Sequence, residues 1–285
     1  QQGDNTFINI LNALRIGEMR IEHIAELMKH VTKDFVDEFS IEKAIRIYPT
    51  RKQVDSHNNA VTEHFRRKGT KMFTIIAQDS IIDAQRVYTI DELEKIIPTD
   101  INKTGGLPKE LILYVGAKIM IRSNLDVAKK LVNGSIGIIT EIIWPNFRRD
   151  QVSPTDVPSV RIEFERGVGN HLITPVIKEF KALGSYGTNE RRMLPMVLCY
   201  AATVHKMQGG TLDHAVISLS KLFAKGQAYV SLSRVRSLEG LRIEDLDAAM
   251  LTGHKPCNTL ALEELERMRK LPDDQAPLNV EPSQH

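Results

Sequence analysis

Thr203-Val204-His205-Lys206-Met207-Gln208-Gly209 follows directly on the apolar run Val197-Leu198-Cys199-Tyr200-Ala201-Ala202, and a short way on stands Gly226-Gln227-Ala228-Tyr229-Val230-Ser231-Leu232-Ser233-Arg234. The apolar run reads as a buried strand, so Thr203 falls where a strand ends and a helix can begin. A threonine hydroxyl there can cap the helix or meet a phosphate oxygen, and the unsatisfied N–H groups favour an anion. His205 and Lys206 add donors that need no base identity, which suits contact with the backbone of a single strand. Gly209-Gly210 lets the main chain approach a ligand closely. The plainer alternative is a capped helix with a solvated His-Lys pair. In the second segment Ala228 and Leu232 share one helical face, and Arg234 follows the buried stretch. It can present a planar, permanently charged group to a phosphate, or pair with an acidic neighbour such as Glu239 or Asp245.

Around these segments the texture is that of an α/β protein. Met196 to Ala202 and His214 to Leu219 are near-continuous apolar strands, as in a parallel sheet with helices on its faces. Ala44-Ile45-Arg46-Ile47-Tyr48 is a third such run, ended by Pro49. Thr50-Arg51-Lys52-Gln53 has the capping-box spacing, and Val54, Val61 and Phe65 continue a helix to Gly69. Phe7, Leu11 and Leu14, then Ile21, Ile24, Leu27 and Met28, predict two amphipathic helices, with Gly17 stopping the first. Lys71 to Ala77 reads as a further strand, and residues 80–112 are mixed, broken by Pro98 and Gly105-Gly106.

From Val115 the pattern changes to short β runs: Lys118 to Ile121, Ile136 to Ile143, Val160 to Phe164 and Leu172 to Ile177. Asn133-Gly134 is a tight-turn signal. Strands this short, punctuated by Gly and Pro, predict a small β-barrel inserted into the larger domain. The expected boundaries are 1–112 and 191–270 for the two parts of the α/β domain, 113–190 for the insertion, and 271–285 for a polar, disordered tail.

The 285 residues are 42% hydrophobic and 26% charged with a formal net charge of +2, ordinary values for a globular domain. Near-neutral balance does not exclude nucleic acid, because strand-tracking proteins concentrate positive charge in one groove. Cys199 and Cys257 are too few for a disulfide framework or a cysteine-rich zinc site. The nine histidines show no metal-ligand spacing. No apolar run reaches membrane-spanning length, so no membrane partner is expected.

Taken in order, several segments resemble one family. Thr203 to Gly209 with Thr211-Leu212-Asp213, then Gly226 to Arg236 and Ser237-Leu238-Glu239-Gly240-Leu241, resemble the fifth and sixth motifs of the Pif (petite integration frequency) family of superfamily-one 5′-to-3′ DNA helicases. Gly116 to Met120, Asn124-Leu125-Asp126 and Leu131 to Gly137 resemble that family's inserted subdomain. Ile47 to Thr50, Val54-Asp55 and Asn58-Asn59 resemble the strand and helix before it. Phe7, Leu11-Asn12, Leu14-Arg15 and Gly17 resemble the helix after the fourth motif. The likeness covers most of residues 1–250.

The resemblance implies a second RecA-like domain interrupted by a Src-homology-three-like β-barrel. It implies that Thr203 and His205, assisted by Lys206, face single-stranded DNA. Gln208 and Gly209 would lie toward an ATP cleft, Arg234 would be the arginine finger, and Gln227 would help set its segment. Met207 and Gly210 depart from the family pattern, which has small or polar residues there.

No Gly-x-x-x-x-Gly-Lys-Ser/Thr loop occurs, and Lys68-Gly69-Thr70-Lys71 lacks its glycine spacing. Asp37-Glu38 lacks the apolar strand that a magnesium-binding pair needs. Gln1 or Gln2 falls where the fourth motif would close. The expectation is therefore the C-terminal half of a helicase, without ATPase activity alone. ATP and Mg2+ would be held mainly by an N-terminal RecA-like domain of the same protein, and duplex junctions join single strands as expected partners. The nucleus is the expected location, with the mitochondrion as alternative. A non-catalytic nucleic-acid-binding module and a degenerate mobile-element copy stand as the other readings. Two weaker candidates are the basic stretch His64 to Lys71 and the Trp144, Phe147, Arg148-Arg149 tip, where Trp144 either stacks on a base or closes the barrel core.

Overall fold

A computed structural model describes residues 5–82, 84–184, 186–207, 209–222 and 226–252. They divide into two compact units: Phe35–Gly210, and a second made of the chain up to Asp34 together with the chain from Thr211 onward. Gln1, Gln2, Gln208, Cys257 and the tail after Lys270 lie outside the described residues.

The chain opens in the second unit with α1 (Asn5–Ile16) and α2 (Ile21–Met28), whose apolar stripes bury Phe7, Ile10, Leu14 and Leu27. It then enters the other unit at β1 (Ile45–Tyr48), buried along its whole length. Pro49 ends β1, and Thr50 caps α3 (Arg51–Arg67) by accepting from the Gln53 N–H at 3.3 Å. The Thr50 hydroxyl also donates to Gln53 Oε1, so the glutamine meets the threonine side chain rather than its main chain. α3 stops where Gly69 takes φ +81, a conformation that costs a side chain but not glycine.

The strands that follow α3 are antiparallel. β2 (Phe73–Ile76) pairs with β4 (Glu110–Leu113). Between them lie β3 (Gln78–Ile81) and α4 (Ile90–Ile96), the latter opened by a full capping box of Thr89 and Glu92. Residues 80–112, mixed in sequence, thus hold a helix and a strand too short to show a period. β5 (Lys118–Ile121), β6 (Ile136–Ile143), β7 (Ser159–Phe164) and β8 (Gly169–Ile173) run as a meander. Pro175 cannot donate to a ladder, so the expected strand 172–177 is divided between β8 and β9 (Val176–Lys181). β9 and β3 flank β10 (Thr188–Met193) in a separate three-stranded sheet. Trp144 is buried, edge-on to Phe73 with ring centres 4.9 Å apart, so it belongs to the core, whereas Phe147 is fully exposed.

The run 196–203 is two strands. β11 (Met196–Leu198) pairs antiparallel with β5 and completes the five-stranded sheet, while β12 (Ala201–Thr203) pairs parallel with β1. Cys199 and Tyr200 form the joint, with the Tyr200 hydroxyl accepting from the Lys118 N–H and from the Tyr114 hydroxyl, each at 3.1 Å. α3 packs on both β1 and β12.

Back in the second unit, β13 (Ala215–Leu219) pairs parallel with β14 (Leu241–Leu246), with α5 (Gln227–Leu232) between them in sequence and α6 (Ala248–Thr252) after them. α5 packs on α1 and on β13. Parallel strands joined through helices, with antiparallel sheets added, make the fold α/β and RecA-like.

Candidate nucleic-acid interface

In open α/β folds, ligands collect beyond the carboxyl ends of parallel strands. β1 and β12 end together: Tyr48 is in register with Thr203. Past Tyr48 the chain turns into the N-terminus of α3, and past Thr203 it makes a single 3-10 turn, Val204–Met207. That turn stands where a longer helix start was expected. Thr203 itself is nearly buried, His205 is exposed and Lys206 is half-buried.

Lys206 has cationic company. Its ammonium is held below the ordinary lysine range, first by burial and then by the charges of Arg122 and Arg51, with Cys199 and Asp55 opposing. Arg122, just past β5, is lowered likewise by burial and by Arg51. Its Nη2 donates to Asn102 Oδ1 at 3.1 Å, while its Nε is buried without a hydrogen-bond partner among the described residues. Arg51, at the first turn of α3, lies 3.8 Å from Asp100 Oδ1, and both side chains are substantially exposed. Positive charges that act on one another in this way favour an anion. Helix α3 adds its N-terminal dipole.

Gly209 holds φ +85 with nothing within 4 Å of a would-be Cβ, so backbone conformation rather than space calls for glycine there. Gln208 lies outside the described residues. The Cys199 thiol behind the turn is fully buried and pushed up to about 12, which makes it inert.

Arg234 and Gln227 belong to the other unit. Gln227 is buried at the start of α5, after Gly226 in the left-handed conformation at φ 75. Arg234 lies just past the end of α5 and folds back on it, its Nε donating to the Val230 carbonyl at 3.0 Å and its Nη2 to Ser233 Oγ at 2.9 Å. The Leu212 N–H donates to the Arg234 carbonyl at 2.6 Å, tying the arginine's main chain to the strand entry. Asp245, one of its acidic neighbours in sequence, is held by Lys33 at 2.7 Å. Among the described residues no group of three or more His, Cys, Asp or Glu side chains is placed to hold a metal. Asp37-Glu38 is exposed, with Glu38 paired to Lys43 at 2.9 Å.

Sequence reading found Thr203, His205 and Lys206 but passed over Arg51 and Arg122. Arg51 had a usable signal, since it opens a capped helix directly after a buried strand. Arg122 had none, because its role depends on the sheet that carries it to Lys206.

Residues 99–142 match the family model of the DNA helicase Pif1 2B domain. The ATP-dependent DNA helicase PIF1 of Danio rerio is 32% identical over 259 residues, covering 90% of this chain and 35% of that protein. The crystal structure of Pif1 helicase from Candida albicans superposes with TM-score 0.70 at 22% identity, covering 94% of this chain and 58% of that one. Bacteroides Pif1 bound to single-stranded DNA superposes with TM-score 0.62 at 22% identity, covering 94% and 54%. The chain spans about a third of the length of the curated relatives it matches. It belongs to the Pif1 family of DNA helicases.

Proposed function

We propose that this chain is the DNA-gripping part of an ATP-dependent 5′-to-3′ DNA helicase. The observation that carries the reading is the carboxyl edge shared by β1 and β12, where Tyr48 and Thr203 stand in register and the chain runs on to Arg51 and Lys206, with the charges of Arg122 and Arg51 acting on Lys206. Contacts of this kind grip a phosphodiester without reading sequence. Thr203 and His205 would take part, and the likeness to Bacteroides Pif1 bound to single-stranded DNA supports such a strand as the ligand.

Arg234 is the proposed arginine finger, with Gln227 setting its segment and Gln208 and Gly209 linking the grip to the ATP cleft. Fixed to its own helix by Val230 and Ser233, the guanidinium carries permanent charge suited to a phosphoryl group. The reading assigns Mg2+ and most of the ATP contacts to an N-terminal RecA-like domain of the same protein. Duplex junctions are the proposed substrate of the whole protein.

A purely binding module is the second reading. It is favoured by one observation, that the cation cluster is complete within a unit that does not contain Arg234.

Anisotropy titration of the 285-residue chain with a labelled single strand tests the grip: weak, salt-sensitive binding without ATP turnover is expected. Binding that ignores salt, or turnover by this chain alone, would overturn the reading. In a longer chain carrying a phosphate-binding loop, Arg234→Ala should abolish DNA-stimulated ATP hydrolysis. Full hydrolysis by that variant would leave the binding-module reading in its place.

A further inference from the structure

A groove of about 520 Å³ lies within the Phe35–Gly210 unit, lined by the loop between β5 and β6, the turn between β7 and β8, and the residues that follow β12. Each of these three segments brings one cationic residue to it: Lys130, Arg166 and Lys206. Glu165 is the one acidic residue beside them among the described residues. Lys130 and Arg166 are exposed, and Lys206 is half-buried. None of the three is in an ion pair among the described residues, since Asp126 and Glu165 face Lys129 at 3.2 Å and Lys118 at 3.8 Å.

The two turns of the five-stranded sheet are tied in place by their main chains. Ser135 Oγ donates to the Lys130 carbonyl at 3.0 Å, and the Leu131 N–H donates to the Asp126 carbonyl at 2.9 Å. The Glu165 N–H donates to the Ile136 carbonyl at 3.0 Å, which sets the turn carrying Arg166 beside the start of β6. Lys130 and Arg166 both hold left-handed backbone, at φ 59 and φ 60. That conformation disfavours a residue with a Cβ and suits glycine. Backbone strain of this kind collects where a side chain is held ready for a ligand. Positive charge gathered around one groove, with a single carboxylate against it, selects a polyanion.

We propose that Lys130 and Arg166 bind phosphates of the same single strand that Lys206 meets, so that its backbone lies in this groove. The proposal rests on the grip reading above and goes beyond it. It adds two phosphate contacts and makes the five-stranded sheet part of the binding site.

Anisotropy titrations of the 285-residue chain over a range of salt, with an oligothymidylate of about twelve nucleotides, test it. Lys130→Gly and Arg166→Gly should each lower the log–log salt slope by about 0.7, and the double variant by about 1.4. Their melting temperatures should hold or rise, because glycine relieves the left-handed backbone. Lys130→Arg keeps the charge and should keep the parent slope. An abasic strand of the same length should show the same slope changes, because the contacts are to phosphate. Glycine variants that keep the parent slope, while Lys206→Met lowers it, overturn the groove and leave the grip standing. A slope lost equally in Lys130→Arg also overturns the groove, since shape and not charge would then matter. Tighter binding of polyglutamate than of oligothymidylate at the same salt overturns it in favour of an acidic protein partner. Failure of the parent to bind either strand overturns the grip and the groove together.

Discussion

Asn58 Oδ1 accepts a hydrogen bond from the main-chain N–H of Tyr200 at 3.1 Å, and a second from Ala201 at 2.9 Å. One side chain of α3 thus satisfies both donors at the joint where the run 196–203 leaves β11 and enters β12. Thr203 stands at the end of the short strand that this joint starts.

Asn58→Ala would leave two buried donors without a partner, at about 1–3 kcal/mol each. A loss of roughly 2–6 kcal/mol is expected in urea denaturation, together with weaker single-strand binding as Thr203 shifts. Asn58→Asp keeps an acceptor and should lose clearly less. Equal losses for the two variants would show that the acceptor is not what holds the joint.

Lys206→Met should weaken single-strand binding and lower the salt dependence by about 0.7 in the log–log slope, as expected for one phosphate contact on a single strand. Stability should move the other way. The Lys206 ammonium is depressed by burial and by Arg122 and Arg51, so its charged form costs the folded state. That cost is present at neutral pH and is relieved as pH rises toward the ordinary lysine value. Solvent screening keeps the gain from Lys206→Met under about 1 kcal/mol. Thermal melts and salt titrations of the one variant check both signs.

His57 sets an acid limit. Burial, and secondarily the charge of Arg46, push its pKa down to about 4, and its Nε2 is buried without a hydrogen-bond partner among the described residues. The folded state refuses a proton that the unfolded chain accepts below pH ~6.5. Stability is therefore full above that pH and falls as pH drops toward about 4, by about 2–3 kcal/mol in all. Urea melts across this window should show the slope, and His57→Gln should flatten it. An unchanged slope would place the acid sensitivity elsewhere.

Arg191 and Asp79 form a bidentate pair, with Nε and Nη2 of the arginine each 2.8 Å from a carboxylate oxygen. The arginine is only 2% exposed, and its Nη1 donates to the Leu107 carbonyl at 3.1 Å. Asp79→Ala should cost about 3–5 kcal/mol, because it strands a buried charge. Arg191→Met with Asp79→Leu removes both charges and should recover most of that loss. A double variant as unstable as the single one would show that packing, not the pairing of charge, dominates at this site.

Local signals made much of this molecule legible. The helices at Phe7 and Ile21, strand β1, the Thr50 cap and the Asn133-Gly134 turn are set by periodicity and capping chemistry within a few residues, and each stands where the sequence puts it. Strands β3, β10 and β14 were not legible. Their burial alternates or is partial, so their pairing depends on partners distant in the chain. The apolar run 196–202 reads as one strand in sequence because hydrophobicity does not record which sheet a strand joins.

The sequence by itself determined the α/β character, the family, and the short polar segment that carries Thr203, His205 and Lys206. Only the tertiary structure decided which other charges act on that segment. Arg51 comes from the start of α3 and Arg122 from the end of β5, and what brings them to Lys206 is the packing of strands and helix. Electrostatic interaction depends on distance through space and on the dielectric around it, and neither is written in sequence separation.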